Sequence, residues 1–212
     1  METLKPIQIE NLDNAKTAEI VKDIEQKDAS DGGKQELKLK LHSTKGNTEN
    51  ALEVITTAHG AENVDLTVEV SGSNGVAGAI LTAAGKPGCR IAQMGSTFTL
   101  NEGDAYEQGT KATDLEPEDK VVYETLTALT GKRKYILAAI VKGGSITGRE
   151  AKKCGIIDSI SVFRSKYLIP KPKKDTNTQV TSAAPAQTPE TVQTNAVENV
   201  PSRRGRKKSI NA

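Results

Sequence analysis

The 212-residue sequence predicts an α/β fold of repeated strand–helix units with largely parallel strands, followed by a disordered basic tail. Three observations carry this. Stretches whose apolar residues recur at every second position alternate with stretches whose apolar residues recur at helical spacing, the pattern of strand–crossover–strand units. The stretch SGSNGVAGAILTAAGKPGCRIAQMGSTFTLNE, residues 71–102, joins a small-residue turn, a helix rich in Ala and Gly, and a strand. From about residue 170 the sequence becomes Pro, Thr, Ala, Gln and Asn with little to bury.

The elements follow in order. PIQIENL is a short alternating strand. In the next stretch, DNAKTAEIVKDIEQK, Asp13 is the expected N-cap and Ala18, Val21 and Ile24 the expected inward face of a helix. ELKLKLHST sets Leu37, Leu39 and Leu41 against polar residues at period two, and KGN is expected to end that strand. TENALEVITTAHG is helical, VDLTVEVSG is a strand, NGVAGAILTAAG is a helix and RIAQMGSTFTL is one further strand. The long stretch ATDLEPEDKVVYETLTALTGKRKYILAAIVKGG is helical, with Pro117 in its first turn, where a missing N–H costs nothing. TGREAKKCGIIDSI closes the body with a short helix and an apolar exit segment. The expected division is a folded body, residues 1–169, and a low-complexity tail, residues 170–212.

Composition sets bounds on function. The net charge of +2 hides an asymmetry: residues 1–169 sum to −3 and residues 170–212 to +5. Aromatic residues are 3% with no Trp, so the core must rest on Ile, Val, Leu and Ala. Cys89 and Cys154 are the only cysteines and form no CxxC pair, which speaks for neither a disulfide framework nor a metal site. No apolar stretch has signal-peptide character, and none approaches the roughly 18 residues of a membrane span. The expected setting is therefore the reducing cytoplasm, with no membrane partner.

The helix at 75–84 carries Gly75, Ala77, Gly78, Ala79, Ala83 and Ala84. Glycine inside a helix costs about 1 kcal/mol against alanine, a cost usually offset by close backbone approach. Two readings follow: a buried, tightly packed helix, or a helix N-terminus that offers free N–H groups to an anion.

In order and spacing, these residues resemble the proteolytic subunit of the Clp protease, in the Clp protease and crotonase superfamily. LHSTKG stands where that family has a strand end followed by Ser-Pro-Gly-Gly. The 72–102 stretch stands at the nucleophile turn, its helix and the strand bearing the histidine. GTKATDLEPEDKVVYETLTALTG resembles the long handle helix, and TGREAKKCGIIDSI the closing segment with its acidic residue, here Asp158. The resemblance spans residues 7–162. It implies a Clp-protease-like α/β domain and self-association into rings through the handle, where Val121, Val122, Leu126 and Leu129 form an apolar series.

The chemistry that the resemblance implies needs a hydroxyl, an imidazole and a carboxylate. The nucleophile position falls on Val76, which has no proton to lose, and the base position on Asn101, which is no base near neutral pH. The acid position falls at Gly143 or Gly144. The paired glycines of the oxyanion element become Lys45-Gly46. Among residues near the cleft, Ser71 and Ser73 precede the helix, His42 lies at a strand end, and His59 ends a helix, where the helix dipole favours a cation. A rebuilt Ser73–His42 pair is the displaced-residue alternative. A crotonase-type use of backbone N–H groups needs no triad, but nothing in the sequence reads as a site for a nucleotide-bearing thioester. Glu102, Asp104 and Glu107 read as a solvated acidic loop; no metal and no cofactor are expected.

The tail ends in PSRRGRKKS, where Arg203, Arg204, Arg206, Lys207 and Lys208 occupy five of six positions. This patch is the expected binding element, toward nucleic acid phosphates or an acidic protein surface, and without interleaved aromatics it gives no base stacking. The expected function is a catalytically inactive structural, assembly or protease-regulating component, a homo-oligomer or a hetero-oligomer with a protease or assembly partner. A phage-encoded inhibitor of a prohead maturation protease, acting in the host cytoplasm or the virion, is one form of it. The alternative is an active serine peptidase or other hydrolase that uses displaced residues.

Overall fold

The structure, a computed structural model, describes residues 5–30, 33–101 and 103–162. Its centre is a five-stranded parallel sheet made by β1 (Ile7–Leu12), β2 (Gln35–Gly46), β3 (Val64–Ser71), β5 (Arg90–Gln93) and β8 (Ser159–Ser161), in the order β1-β2-β3-β5-β8. A second sheet of three short strands, β4 (Ser73–Asn74), β6 (Thr97–Thr99) and β7 (Ser145–Thr147), lies in the order β4-β6-β7. The α/β architecture with parallel strands is as the alternation of patterns predicts.

Alternation sets the faces. Ile7, Ile9, Leu37, Leu39, Leu41, Leu66, Val68, Val70 and Ala92 are buried, whereas Gln8, Glu10, Glu36, His42 and Gln93 between them are exposed. The buried face is covered by α1 (Asn14–Asp28), α2 (Thr48–Gly60) and α3 (Val76–Ala84). The first two are capped as short polar side chains dictate: Asp13 accepts from the Lys16 N–H at 2.9 Å and Asn47 from the Asn50 N–H at 2.8 Å. The inward face of α1 is Thr17, Ile20 and Ile24, with Ala18 exposed and Val21 half-buried. Of the expected face, Ile24 is buried and Val21 packs partly against the core, whereas Ala18 is exposed and Thr17 and Ile20 are buried in its place, because packing on the sheet selects the bulkier Ile20 over Ala18.

α3 is buried all round, from Val76 through Ala83. A Cβ on Gly78 would stand 3.0 Å from Asn74 Cβ and 3.4 Å from Thr44 Cβ. The close approach that its small residues predict is therefore real, and its first turn does not face solvent.

Three boundaries differ from the sequence reading. β2 runs on through Lys45 and Gly46, which pair with Asn11 and Leu12, instead of breaking at KGN. RIAQMGSTFTL is two strands in two sheets: the chain turns at Met94 and Gly95 (φ 90°), closed by the Ser96 N–H on the Gln93 carbonyl at 3.1 Å. The long helical stretch is two helices, α4 (Pro117–Thr130) and α5 (Arg133–Lys142), separated where Gly131 takes φ 69° and caps α4. Of the expected apolar series on α4, Val122 and Leu126 serve the core of this same chain, Leu129 packs against it, and Val121 is exposed.

The closing helix α6 (Gly148–Lys153) starts with a complete capping box between Thr147 and Glu150. Beyond it, Asp158 receives Arg90. The guanidinium donates from Nε (2.9 Å) and Nη2 (2.5 Å) to the carboxylate, and from Nη1 to the carbonyls of Gly155 (2.8 Å) and Ala83 (3.3 Å). The same carboxylate accepts the N–H of Gly88 (2.7 Å) and of Arg90 (3.1 Å). One ion pair thus ties β5, the end of α3 and the start of β8.

Candidate functional site

Two segments meet at the carboxyl end of the parallel strands, the side on which open α/β sheets place their ligands: the end of β2 and the turn that leads into α3. A third, the chain beyond β6 at Asn101 and Gly103–Ala105, lies against the end of α5.

The end of β2 is bulged. Ile9 pairs with Leu41 and Asn11 with Lys45, so three residues of β2, His42, Ser43 and Thr44, stand across from the single residue Glu10. Ser43 takes a left-handed φ of 49°. Thr44 is fully buried; its N–H donates to Asn74 Oδ1 at 3.0 Å, its hydroxyl to the Ile9 carbonyl at 2.6 Å, and its carbonyl accepts the Gly75 N–H at 2.9 Å. Asn74, also fully buried, donates its amide to the carbonyls of Ser71 (3.0 Å) and Gly72 (3.2 Å). The turn that leads into α3 is therefore held by a buried asparagine. Its one available signal was the polar Asn74 directly ahead of an otherwise apolar helix. Gly46, at φ 140°, lies so near Leu12 that a Cβ would sit 2.6 Å from the Leu12 carbonyl oxygen. Here that glycine serves strand pairing.

Val76 is the first residue of α3 and only 4% exposed. Asn101, 2% exposed, spends its side chain on the local fold. Its amide donates to the carbonyls of Asp104 (3.1 Å) and Ile140 (3.4 Å), and its Oδ1 accepts the Gly103 N–H at 2.6 Å. The chain then crosses the end of α5: the Tyr106 N–H donates to the Val141 carbonyl at 3.0 Å. A Cβ on Gly143 would stand 3.0 Å from Ala105 Cα and Cβ. Tyr106 fixes this loop to α4, donating its hydroxyl to Asp119 at 2.7 Å and accepting the Glu116 N–H at 3.0 Å. Burial, and then the bond to the Asp119 carboxylate, push the Tyr106 hydroxyl above the ordinary phenol range.

The histidines fall elsewhere. His59 is exposed in the last turn of α2. His42 is exposed on the polar face of the sheet, and its Nδ1 lies 2.9 Å from Ser71 Oγ, not beside Ser73. Ser73 instead donates its N–H to Ser43 Oγ at 3.3 Å. The His42–Ser71 pair opens into a cavity of about 260 Å³ that also takes in Glu10, Lys40 and Glu69. Asp104 and Glu107 are exposed, and Glu102 lies outside the described residues. Among the described residues no group of three or more His, Cys, Asp or Glu is gathered for a metal ion, and no helix is long and apolar enough to cross a membrane. Arg203, Arg204, Arg206, Lys207 and Lys208, and the whole segment 170–212, lie outside the described residues.

The model of the Clp protease family matches residues 7–164, more than half of the chain. The chain belongs to the Clp protease family. Among solved structures, it is similar to the catalytic domain of the ClpP protease from Plasmodium falciparum, with a TM-score of 0.58 and 17% identity over 78% of this chain and 87% of that one. At that identity the likeness speaks for the fold. The residues that the sequence reading set at the nucleophile, base and acid positions, Val76, Asn101 and Gly143 or Gly144, lie as just described.

Proposed function

We propose that this chain is a catalytically inactive member of the Clp protease family, kept as a structural, assembly or protease-regulating component. The observation that carries the reading is Asn101. At the position of the base, both ends of a buried amide are committed to Gly103, Asp104 and Ile140. Val76 supports it with an alkyl side chain, and so do Gly143 and Gly144, neither of which carries a carboxylate; at Gly143 a side chain would also meet Ala105 at 3.0 Å. Its partners are further copies of itself or a protease that it restrains, such as a prohead maturation protease of a phage, in the host cytoplasm or the virion. The basic end, residues 203–208, supplies an electrostatic contact to nucleic acid or to an acidic protein surface.

The test is incubation of the full chain with a fluorophosphonate probe and with unfolded protein, with and without a Clp ATPase, beside an assay of a candidate partner protease. The expected result is no labelling, no cleavage, and a slowed partner. A second reading, a hydrolase with displaced residues, is favoured by the His42–Ser71 contact at 2.9 Å. Stoichiometric labelling of Ser71, lost together with cleavage in His42→Ala, would establish it and remove the first.

A further inference from the structure

One well-formed hollow of the domain is lined by neither Val76 nor Ser71. It is a groove of about 520 Å³ between the loop at Ala105–Thr110 and the outer side of α5. That size is within the roughly 300–1,000 Å³ of ligand pockets. Its floor is apolar: Tyr106, Leu137, Ala138 and Val141. Its rim carries Lys134 and Lys142, and no carboxylate lines it among the described residues.

Three features mark it as a surface made for contact. α5 already serves the core with Ile136, Ala139 and Ile140, and Leu137 packs partly against it, yet the half-buried Val141 and the exposed Ala138 also line the groove. A helix that is apolar on more than one face needs cover on both. The opposite wall is also rigid. Tyr106 is held from the backbone by Val141 and from the hydroxyl by Asp119 and Glu116, so little ordering remains to be done on binding. The charge is one-sided in a body that sums to −3. Lys142 shares its charge with Glu150 at 2.8 Å, while Lys134 has no ion pair among the described residues.

From this we infer that the groove receives a peptide segment of a partner protein in which a large apolar side chain is flanked by carboxylates. The apolar side chain fills the floor, and the carboxylates meet Lys134 and Lys142. The protease-regulating reading supplies the source of the segment; the groove itself stands on its own geometry.

The test is fluorescence anisotropy of the full chain with a fluorescein-labelled hexapeptide, Glu-Glu-Leu-Phe-Glu-Glu. Its counterparts carry Lys in place of Glu, or Gly-Gly in place of Leu-Phe. Saturable binding of the first is expected, with both counterparts weaker by about tenfold or more. K134E, an exposed change that leaves the core alone, is expected to weaken binding by about tenfold and to flatten its salt dependence. A138W, which fills the groove from its exposed floor, is expected to remove binding while the thermal melt is kept. No saturation at millimolar peptide, equal affinity for the Lys peptide, or unchanged binding in both variants would overturn the inference. So would sedimentation showing a dimer that A138W disperses and the peptide does not, which assigns the groove to a second copy. Failure of the peptide while a partner protease is still slowed removes the groove and leaves the proposed function. Peptide binding with no effect on any protease does the reverse.

Discussion

Asp158 accepts two bonds from the Arg90 guanidinium and two from backbone N–H groups, while Arg90 is itself only 8% exposed. The guanidinium, followed by the backbone donors, holds the Asp158 carboxyl below the usual aspartate range against the opposing effect of burial. Asp158→Asn keeps the shape but leaves a buried cation without its counter-charge. An expected loss of about 2–4 kcal/mol follows, read as a lowered urea midpoint with unchanged slope. Because the folded carboxyl is depressed, its contribution is fully present above the unfolded value of about 3.9 and is lost as pH falls through the folded value. In Asp158→Asn that acid limb of the stability curve should flatten. A limb identical to that of the parent chain would refute the assignment.

Gly78→Ala is expected to destabilise even though alanine is the better helix former by about 1 kcal/mol. The added methyl would meet Asn74 Cβ at 3.0 Å and Thr44 Cβ at 3.4 Å, inside a fully buried polar lock. A net cost of about 1–3 kcal/mol is expected from overpacking. Stabilisation in a thermal melt would mean that the turn yields.

Residue restoration is the sharpest test of the site. Val76→Ser, Asn101→His and Gly143→Asp, singly or together, should yield no peptidase. Asn101→His leaves the Gly103 N–H and two carbonyls without their partner, at about 2–4 kcal/mol. Gly143→Asp asks a side chain to sit at φ 68° against Ala105. Reduced melting temperatures without fluorophosphonate labelling are expected. Turnover by the triple variant would show that the cleft is intact after all.

Glu150 is held down to about 2, first by Lys142, then by the N–H and hydroxyl of Thr147. Lys142→Met should raise its titration midpoint in a carboxyl-detected NMR experiment, and Thr147→Ala should raise it and cost about 1 kcal/mol as a lost cap. A midpoint near the ordinary glutamate value in the parent chain would refute this geometry.

If the basic end meets nucleic acid, the full chain on duplex DNA should show a log–log salt slope on the order of −4, removed when Arg203, Arg204, Arg206, Lys207 and Lys208 become Gln. Equal affinity of both forms would take nucleic acid out of the account.

What the sequence made legible was whatever one covered face dictates. Leu37, Leu39 and Leu41 alternate because helices cover one side of β2, and Asp13 caps because a short carboxylate there has little else to bind. The phase of α1 was not legible, since Ala18 and Ile20 are both apolar and only the sheet chooses between them. The split at Met94–Gly95 was hidden because both halves of the stretch look like strand. Asn74 reads as a turn residue and is the buried fastener of the site; its role depends on Thr44, thirty positions earlier. The groove on α5 was invisible for the same reason, as its two walls are distant in the chain.

The commitment of Asn101 also bears on descent. A lineage that placed an imidazole there would lose the turn at Gly103 before any proton transfer could reward it, and a carboxylate at Gly143 would meet Ala105 just as early. On the inactive reading proposed above, each first step toward chemistry is expected to lower stability with no gain in activity, so selection has nothing to climb. Relatives that share this loop should therefore keep an amide at 101 together with glycine at 143, the pair behaving as a ratchet, while positions on the open polar face of the sheet drift.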